Sequence, residues 1–189
     1  MQILPKEITD KVTIKNVKTN FGHDLGGFFC DIYFNKKKVG YLNNDGWGGC
    51  PDVRPYGYDE KDKALMKSFQ DFLTEQNFAQ FQADDYNKPH PQMSYNKTDW
   101  KASDFHFEEQ VEFLCERLSF LKEIESKQKR AILFGNPKGG SYKYISFKVA
   151  LDVIKEKHSG LLRAKILEIK NQLGKDECIF NTNLQQFLQ

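Results

Sequence analysis

Residues 27–43 read GFFCDIYFNKKKVGYLN, and this stretch decides the fold class. Successive side chains of an extended chain point to opposite faces. Phe28, Cys30, Ile32 and Phe34 therefore share one face, and Phe29, Asp31 and Tyr33 the other. Asn35 to Lys37 read as a polar turn, and Lys38 to Asn43 return as the next strand. Upstream, residues 11–20 (KVTIKNVKTN) set Val12 and Ile14 among polar neighbours and break register at Val17. Three strands joined by turns, with one face apolar, predict an antiparallel meander.

Working outward, the chain changes period. Asp59 is a good N-cap. Leu65, Phe69, Phe72 and Leu73 follow at helical spacing, ending near Asn77. Residues 82–103 carry neither period, and Pro89 and Pro91 forbid a regular helix there, so a long insertion is expected. A helix capped by Ser103 or Asp104 runs to about Lys127 on Phe107, Val111, Leu114, Leu118, Leu121 and Ile124. Ala131–Phe134 and Tyr142–Phe147 form a hairpin around a Gly-rich turn. A helical region from Lys148 to Leu173 breaks near His158–Gly160, and Glu177–Phe180 reads as a last short strand before a polar tail. The expected fold is α+β: a single domain with an N-terminal antiparallel meander and a later hairpin packed against three to four helices.

Composition narrows the function classes. The 189 residues are 39% hydrophobic and 29% charged, enough for a true core without disulfide or metal staples. The net charge is only +2, and the cations are 24 Lys against 4 Arg. Arg forks read phosphates and guanine edges bidentately, so this composition argues against sequence-specific DNA binding. No apolar run approaches a membrane span, and residues 1–10 contain no secretory h-region. Cys30, Cys50, Cys115 and Cys178 are widely spaced with no C-x-x-C, which reads as free thiols and a cytoplasmic location.

Two loops hold the candidate chemistry. Asn44-Asp45-Gly46-Trp47-Gly48-Gly49 places three glycines in four positions, which permits positive φ and an anion-binding nest of backbone N–H groups. Trp47 can stack on a planar ligand, and Arg54 lies five residues beyond Gly49. The competing reading is a plain Asp-Gly turn with Trp47 folded into the core. The second loop runs Gly135 to Gly140, with Lys138 at its tip, Gly139 and Gly140 behind it, and Tyr142 and Tyr144 following on one strand face. It lacks the Lys-Ser/Thr of a Walker A loop, and a plain hairpin turn competes there too. Stacking for a base plus donors and cations for phosphate is the chemistry of a nucleotide site.

Catalytic constellations are not apparent. His23, His90, His106 and His158 form no H-E-x-x-H motif and no Cys/His cluster, so neither a metal nor another cofactor is expected. Cys50 sits in a loop without a helix N-terminus to activate it. Tyr86, Met93, Tyr95 and Trp100 lie among polar residues, which suits either a docking loop or aromatics that pin the loop to the body.

The segment Lys38–Gly49, KVGYLNNDGWGG, resembles small uncharacterised proteins of bacteriophage and bacterial genomes in which a strand ends in an Asn-Asp-Gly-x-Gly-Gly loop. Ile179-Phe-Asn-Thr-Asn183 is similar to the same group. The resemblance covers about a quarter of the chain and implies a phage origin and the capture of a host component. The expected function is non-catalytic binding of a phosphate-bearing nucleotide, such as a host signalling nucleotide sequestered against host defence. The alternatives are a protein-interaction inhibitor using residues 82–103 and a nucleotide hydrolase. A host protein partner and self-association stay open.

Overall fold

The computed structural model describes residues 4–21, 26–87, 99–136, 142–175 and 177–188. The fold is α+β. The described residues cluster into two compact units, Ile3–Ser119 and Phe120–Gln189.

The N-terminal unit is built on a four-stranded antiparallel sheet of order β1-β2-β3-β4, with β1 Val12–Phe21, β2 Gly27–Phe34, β3 Lys37–Asn44 and β4 Asp52–Pro55. The alternation in β2 buries Phe28, Cys30, Ile32 and Phe34. The register break expected at Val17 is a bulge: the β1–β2 pairing shifts between Lys15 and Lys18, and Asn16 adopts φ 51°. A bulge residue is unpaired and re-aimed. Here the Asn16 amide donates to the Asp31 carboxylate at 2.6 Å, and Lys38 pairs with the same group at 3.0 Å. Asp31 is buried, and these two partners are what make its burial affordable.

Helix α1 (Lys6–Lys11) precedes the sheet, and α2 (Glu60–Glu75), α3 (Phe78–Tyr86) and α4 (Phe107–Lys127) follow it. Asp59 caps α2 as expected, accepting from the Asp62 amide at 2.7 Å. Helix α2 packs on the apolar sheet face through aromatic rings: Phe34 lies 5.7 Å from Phe69 and 5.0 Å from Phe72. Two elements exceed the sequence expectation. Strand β4 lies in the stretch read as continuing loop. It pairs because Gly40 lets the chains close up: a Cβ there would sit 2.1 Å from the Arg54 carbonyl oxygen. Helix α3 claims residues 82–86 from the expected insertion. Asn77 turns the chain at φ 49°, and Phe78, Phe81, Gln82 and Asp85 then follow at helical spacing, with Phe78 and Gln82 buried.

The C-terminal unit contains the rest of α4 beyond Ser119, then β5 (Ala131–Gly135), β6 (Lys143–Ser146), α5 (Leu151–Lys157), α6 (Ser159–Lys170), β7 (Cys178–Ile179) and α7 (Gln185–Leu188). Its sheet order is β6-β5-β7, antiparallel throughout. Ile132, Leu151, Ile154, Leu162, Ile166 and Leu184 form its core. The tail is less polar in role than in composition, because Leu184 and Asn181 are buried. Asn181 continues the β5 ladder with its side chain. It accepts from the Leu133 amide at 2.5 Å and donates to the Ala131 carbonyl at 2.8 Å. Thr182 and Asn183 bind Gln128 beside it. The Ile179–Asn183 motif therefore closes a sheet edge.

Candidate functional site

The loop between β3 and β4 is braced by its own side chains. Asn44 accepts from the Gly46 amide at 2.8 Å, and Asp45 accepts from the Trp47 amide at 3.0 Å. Such Asx turns are why Asn and Asp dominate turn positions. Gly46 has φ 78°, and a Cβ on it would press to 3.0 Å from the Gly27 amide nitrogen, so glycine is required by both conformation and space. The other end of the Asn44 amide donates to Glu112 on α4. The loop is thereby tied to the helical layer.

This bracing holds Trp47 in solvent. Its side chain is 66% exposed, which removes the reading in which it folds into the core. Tyr56 and Tyr58, just beyond β4, are also exposed. Arg54 on β4 pairs opposite Tyr41 and forms an ion pair with Asp52 at 2.7 Å. That partner, with smaller contributions from Tyr41 and Tyr58, raises the guanidinium above its ordinary pKa. The structure places Asn44, Asp45, Gly46, Trp47, Gly48 and Gly49 together at the loop end of the β3–β4 pair, and sets Arg54 further along the ladder, opposite Tyr41. Two of the amides that an anion nest would offer, those of Gly46 and Trp47, are already engaged.

The second loop belongs to the C-terminal unit, and Lys138, Gly139 and Gly140 lie outside the described residues. Tyr142 is committed locally. Its hydroxyl donates to Glu123 at 2.7 Å, and its ring meets Phe120, Tyr144 and Phe180. Lys127 completes the cluster, 2.7 Å from Glu123 and 4.6 Å from the centre of the Tyr144 ring. The Lys127 and Tyr142 hydrogen bonds hold the Glu123 carboxyl below its ordinary range.

A second feature of the N-terminal unit was not read from sequence. Gln82, Tyr86, Trp100, Phe105, Glu109, Glu112, Phe113 and Glu116 line a cavity of about 180 Å³. Its aromatic wall is continuous: Tyr86 lies 5.6 Å from Trp100, 5.4 Å from Phe105 and 5.8 Å from Phe113. Asn87 fixes Trp100 by exchanging two hydrogen bonds of 2.9 Å with its backbone. Phe105 and Phe113 are buried, whereas Tyr86 is 44% exposed, which leaves the wall open on one side. Enclosure, then the Glu112 carboxylate, pushes the Glu116 carboxyl above its ordinary range. Enclosure, then Glu116 and Glu112, likewise raises the Tyr86 phenol. The only sequence trace of this site is the i, i+3, i+7 spacing of the three glutamates, which reads equally as a solvated helix face.

His106 is taken up locally, its amide donating to Glu109 at 2.8 Å. His23, His90, Met93 and Tyr95 lie outside the described residues. Among the described residues no three His, Cys, Asp or Glu side chains are grouped to hold a metal ion. Among the same residues no helix is long and apolar enough to cross a membrane. No protein family, no curated protein and no solved structure matches the chain.

Proposed function

We propose that this chain is a non-catalytic binding protein that takes a nucleotide-like ligand at the β3–β4 loop. The observation that carries the reading is Trp47, two-thirds exposed on a loop that two of its own side chains brace. A pre-organised aromatic in water loses little conformational freedom when a planar base stacks on it. Arg54 stands opposite Tyr41, further along β4 from the loop, and exposed Tyr58 follows the far end of that strand. The Arg54–Asp52 pair is exposed on both sides, and such pairs contribute little to stability, so Arg54 can turn to a phosphate at small cost. Lys138, Gly139 and Gly140, expected from the sequence as ligand residues, lie outside the described residues. With the resemblance to phage-encoded proteins, the biological form of this reading is cytoplasmic sequestration of a host signalling nucleotide.

The chain has two tryptophans, so a Trp100→Phe protein reports on Trp47 alone. Titration with linear and cyclic nucleotides is expected to quench Trp47 saturably with one nucleotide class. Arg54→Ala should weaken that binding by about tenfold, the loss of one charge-assisted contact. No quenching by any nucleotide, together with unchanged melting temperatures, would overturn the proposal. Turnover of the nucleotide would replace it with a hydrolase.

A further inference from the structure

The cavity of the N-terminal unit has a chemistry opposite to that of the loop. We propose that it binds a linear aliphatic polyamine, with the amines along the α4 carboxylates and the methylenes against the aromatic wall.

Three observations carry this. First, the lining is rich in acceptors beside the Tyr86 hydroxyl and the Trp100 indole. Glu109, Glu112 and Glu116 supply carboxylates, and Gln82 supplies an amide oxygen. Gln82 is 2% exposed, and its Oε1 has no hydrogen-bond partner. A buried amide oxygen without a donor costs free energy, so a ligand N–H that reaches it is favoured. Second, the walls are aromatic faces, which attract ammonium groups and pack against methylenes. The Phe113 ring already carries one cation, with the Arg117 guanidinium 4.7 Å from its centre. Arg117 forms its ion pair with buried Asp85 and offsets only part of the charge of Glu116, so the three glutamates keep a net negative excess. Third, the carboxylates are spread along the helix. Glu109 to Glu112 and Glu112 to Glu116 are separated by rises of about 4.5 and 6 Å along α4. Chains of three or four methylenes between amines span roughly the same intervals.

The spread also excludes simpler ligands. A divalent cation needs converging oxygens, and no such group exists among the described residues. A quaternary ammonium has no N–H for Gln82 and only one charge for three carboxylates. Glu109 and Glu112 each already accept one protein hydrogen bond, from the His106 amide and from Asn44, so those contacts fix both carboxylates before any ligand arrives.

The site is separate from the nucleotide reading and does not depend on it. The test uses the full chain carrying Trp47→Phe, in which Trp100 is the sole tryptophan reporter. Spermidine is the probe, with n-butylamine, tetramethylammonium and magnesium as comparisons. Spermidine should change Trp100 emission saturably and bind at least tenfold tighter than n-butylamine. Glu116→Gln should weaken it by about tenfold. Glu116 reaches the protein surface although the packed wall screens its carboxyl from part of the solvent, so the isosteric amide should fold, and circular dichroism checks that it does. No Trp100 response to spermidine overturns the proposal. So does a response matched by magnesium, by n-butylamine or by tetramethylammonium, and so does unchanged affinity in folded Glu116→Gln.

Discussion

The N-terminal unit presents two tryptophans in opposite settings. Trp47 stands exposed on a loop in which Asn44 and Asp45 accept from two backbone amides. Trp100 lines a cavity among Tyr86, Phe105 and Phe113, with three glutamates and an amide oxygen that lacks a donor. In the first region side chains brace the backbone, and an aromatic residue stays two-thirds exposed. In the second it has met its aromatic contacts and left acceptors over. The two proposed ligands follow that contrast: a planar, anionic group for the loop, and a donor-rich cation for the cavity.

The largest expected effect separates the two regions. Phe113→Ala removes a buried ring that touches Phe78, Phe81 and Tyr86 and lies under Arg117. Such truncations cost about 3–5 kcal/mol. Denaturant melts should show that loss, and any folded fraction should lose the spermidine response of Trp100 while keeping the nucleotide response of Trp47. The converse cut is Gly46→Ala. It forces a side chain into φ 78° against the Gly26–Gly27 backbone and should cost about 1–2 kcal/mol. The loop response should weaken with the cavity unaffected.

The next prediction depends on pH. Glu116 is crowded by Glu109, Glu112 and Arg117 on α4 and by Asp85 and Tyr86 on α3. Enclosure and Glu112 raise its carboxyl, so it takes up a proton at a higher pH than an ordinary carboxylate. A cation prefers the ionised form. Polyamine affinity should therefore fall by about tenfold in all as pH drops through that raised range, with a maximum slope of roughly threefold per unit, and binding within the range should release about half a proton. Calorimetry in buffers of different ionisation enthalpy measures the release. Glu116→Gln should abolish both the release and the pH slope.

How much of this could be read from sequence follows from how local each feature is. The β2 alternation, the Asp59 cap and the break at Val17 are set by neighbouring residues, and each appears where the sequence places it. The loop was legible for the same reason, since Asn, Asp and Gly in series dictate their own turn. Strand β4 was not, because its pairing depends on Gly40 in β3, which lets the Arg54 carbonyl approach. The cavity was least legible. Its lining comes from α3, from the segment around Trp100 and from α4, and no local pattern announces that Gln82 and Glu116 border one space. Asn44 joins the two kinds of feature. It shapes the loop through Gly46 and fixes a cavity carboxylate through Glu112. Asn44→Ala should cost about 1 kcal/mol. It should also perturb both tryptophan signals, whereas the Phe113 and Gly46 variants each perturb one.

The smallest expected change is the most telling about Trp47. An aromatic that holds a fold together costs several kcal/mol to remove, and one kept for a ligand costs almost nothing until the ligand is present. Trp47 is 66% exposed, and its loop is braced by the Asn44 and Asp45 side chains and by the positive φ of Gly46. Trp47→Ala should therefore shift unfolding free energy by less than about 0.5 kcal/mol while abolishing nucleotide-dependent stabilisation of the chain. A loss of 2 kcal/mol or more in the ligand-free protein would mean that the ring is structural. The loop would then have no face left over, and the contrast between the two tryptophans would collapse to the cavity alone.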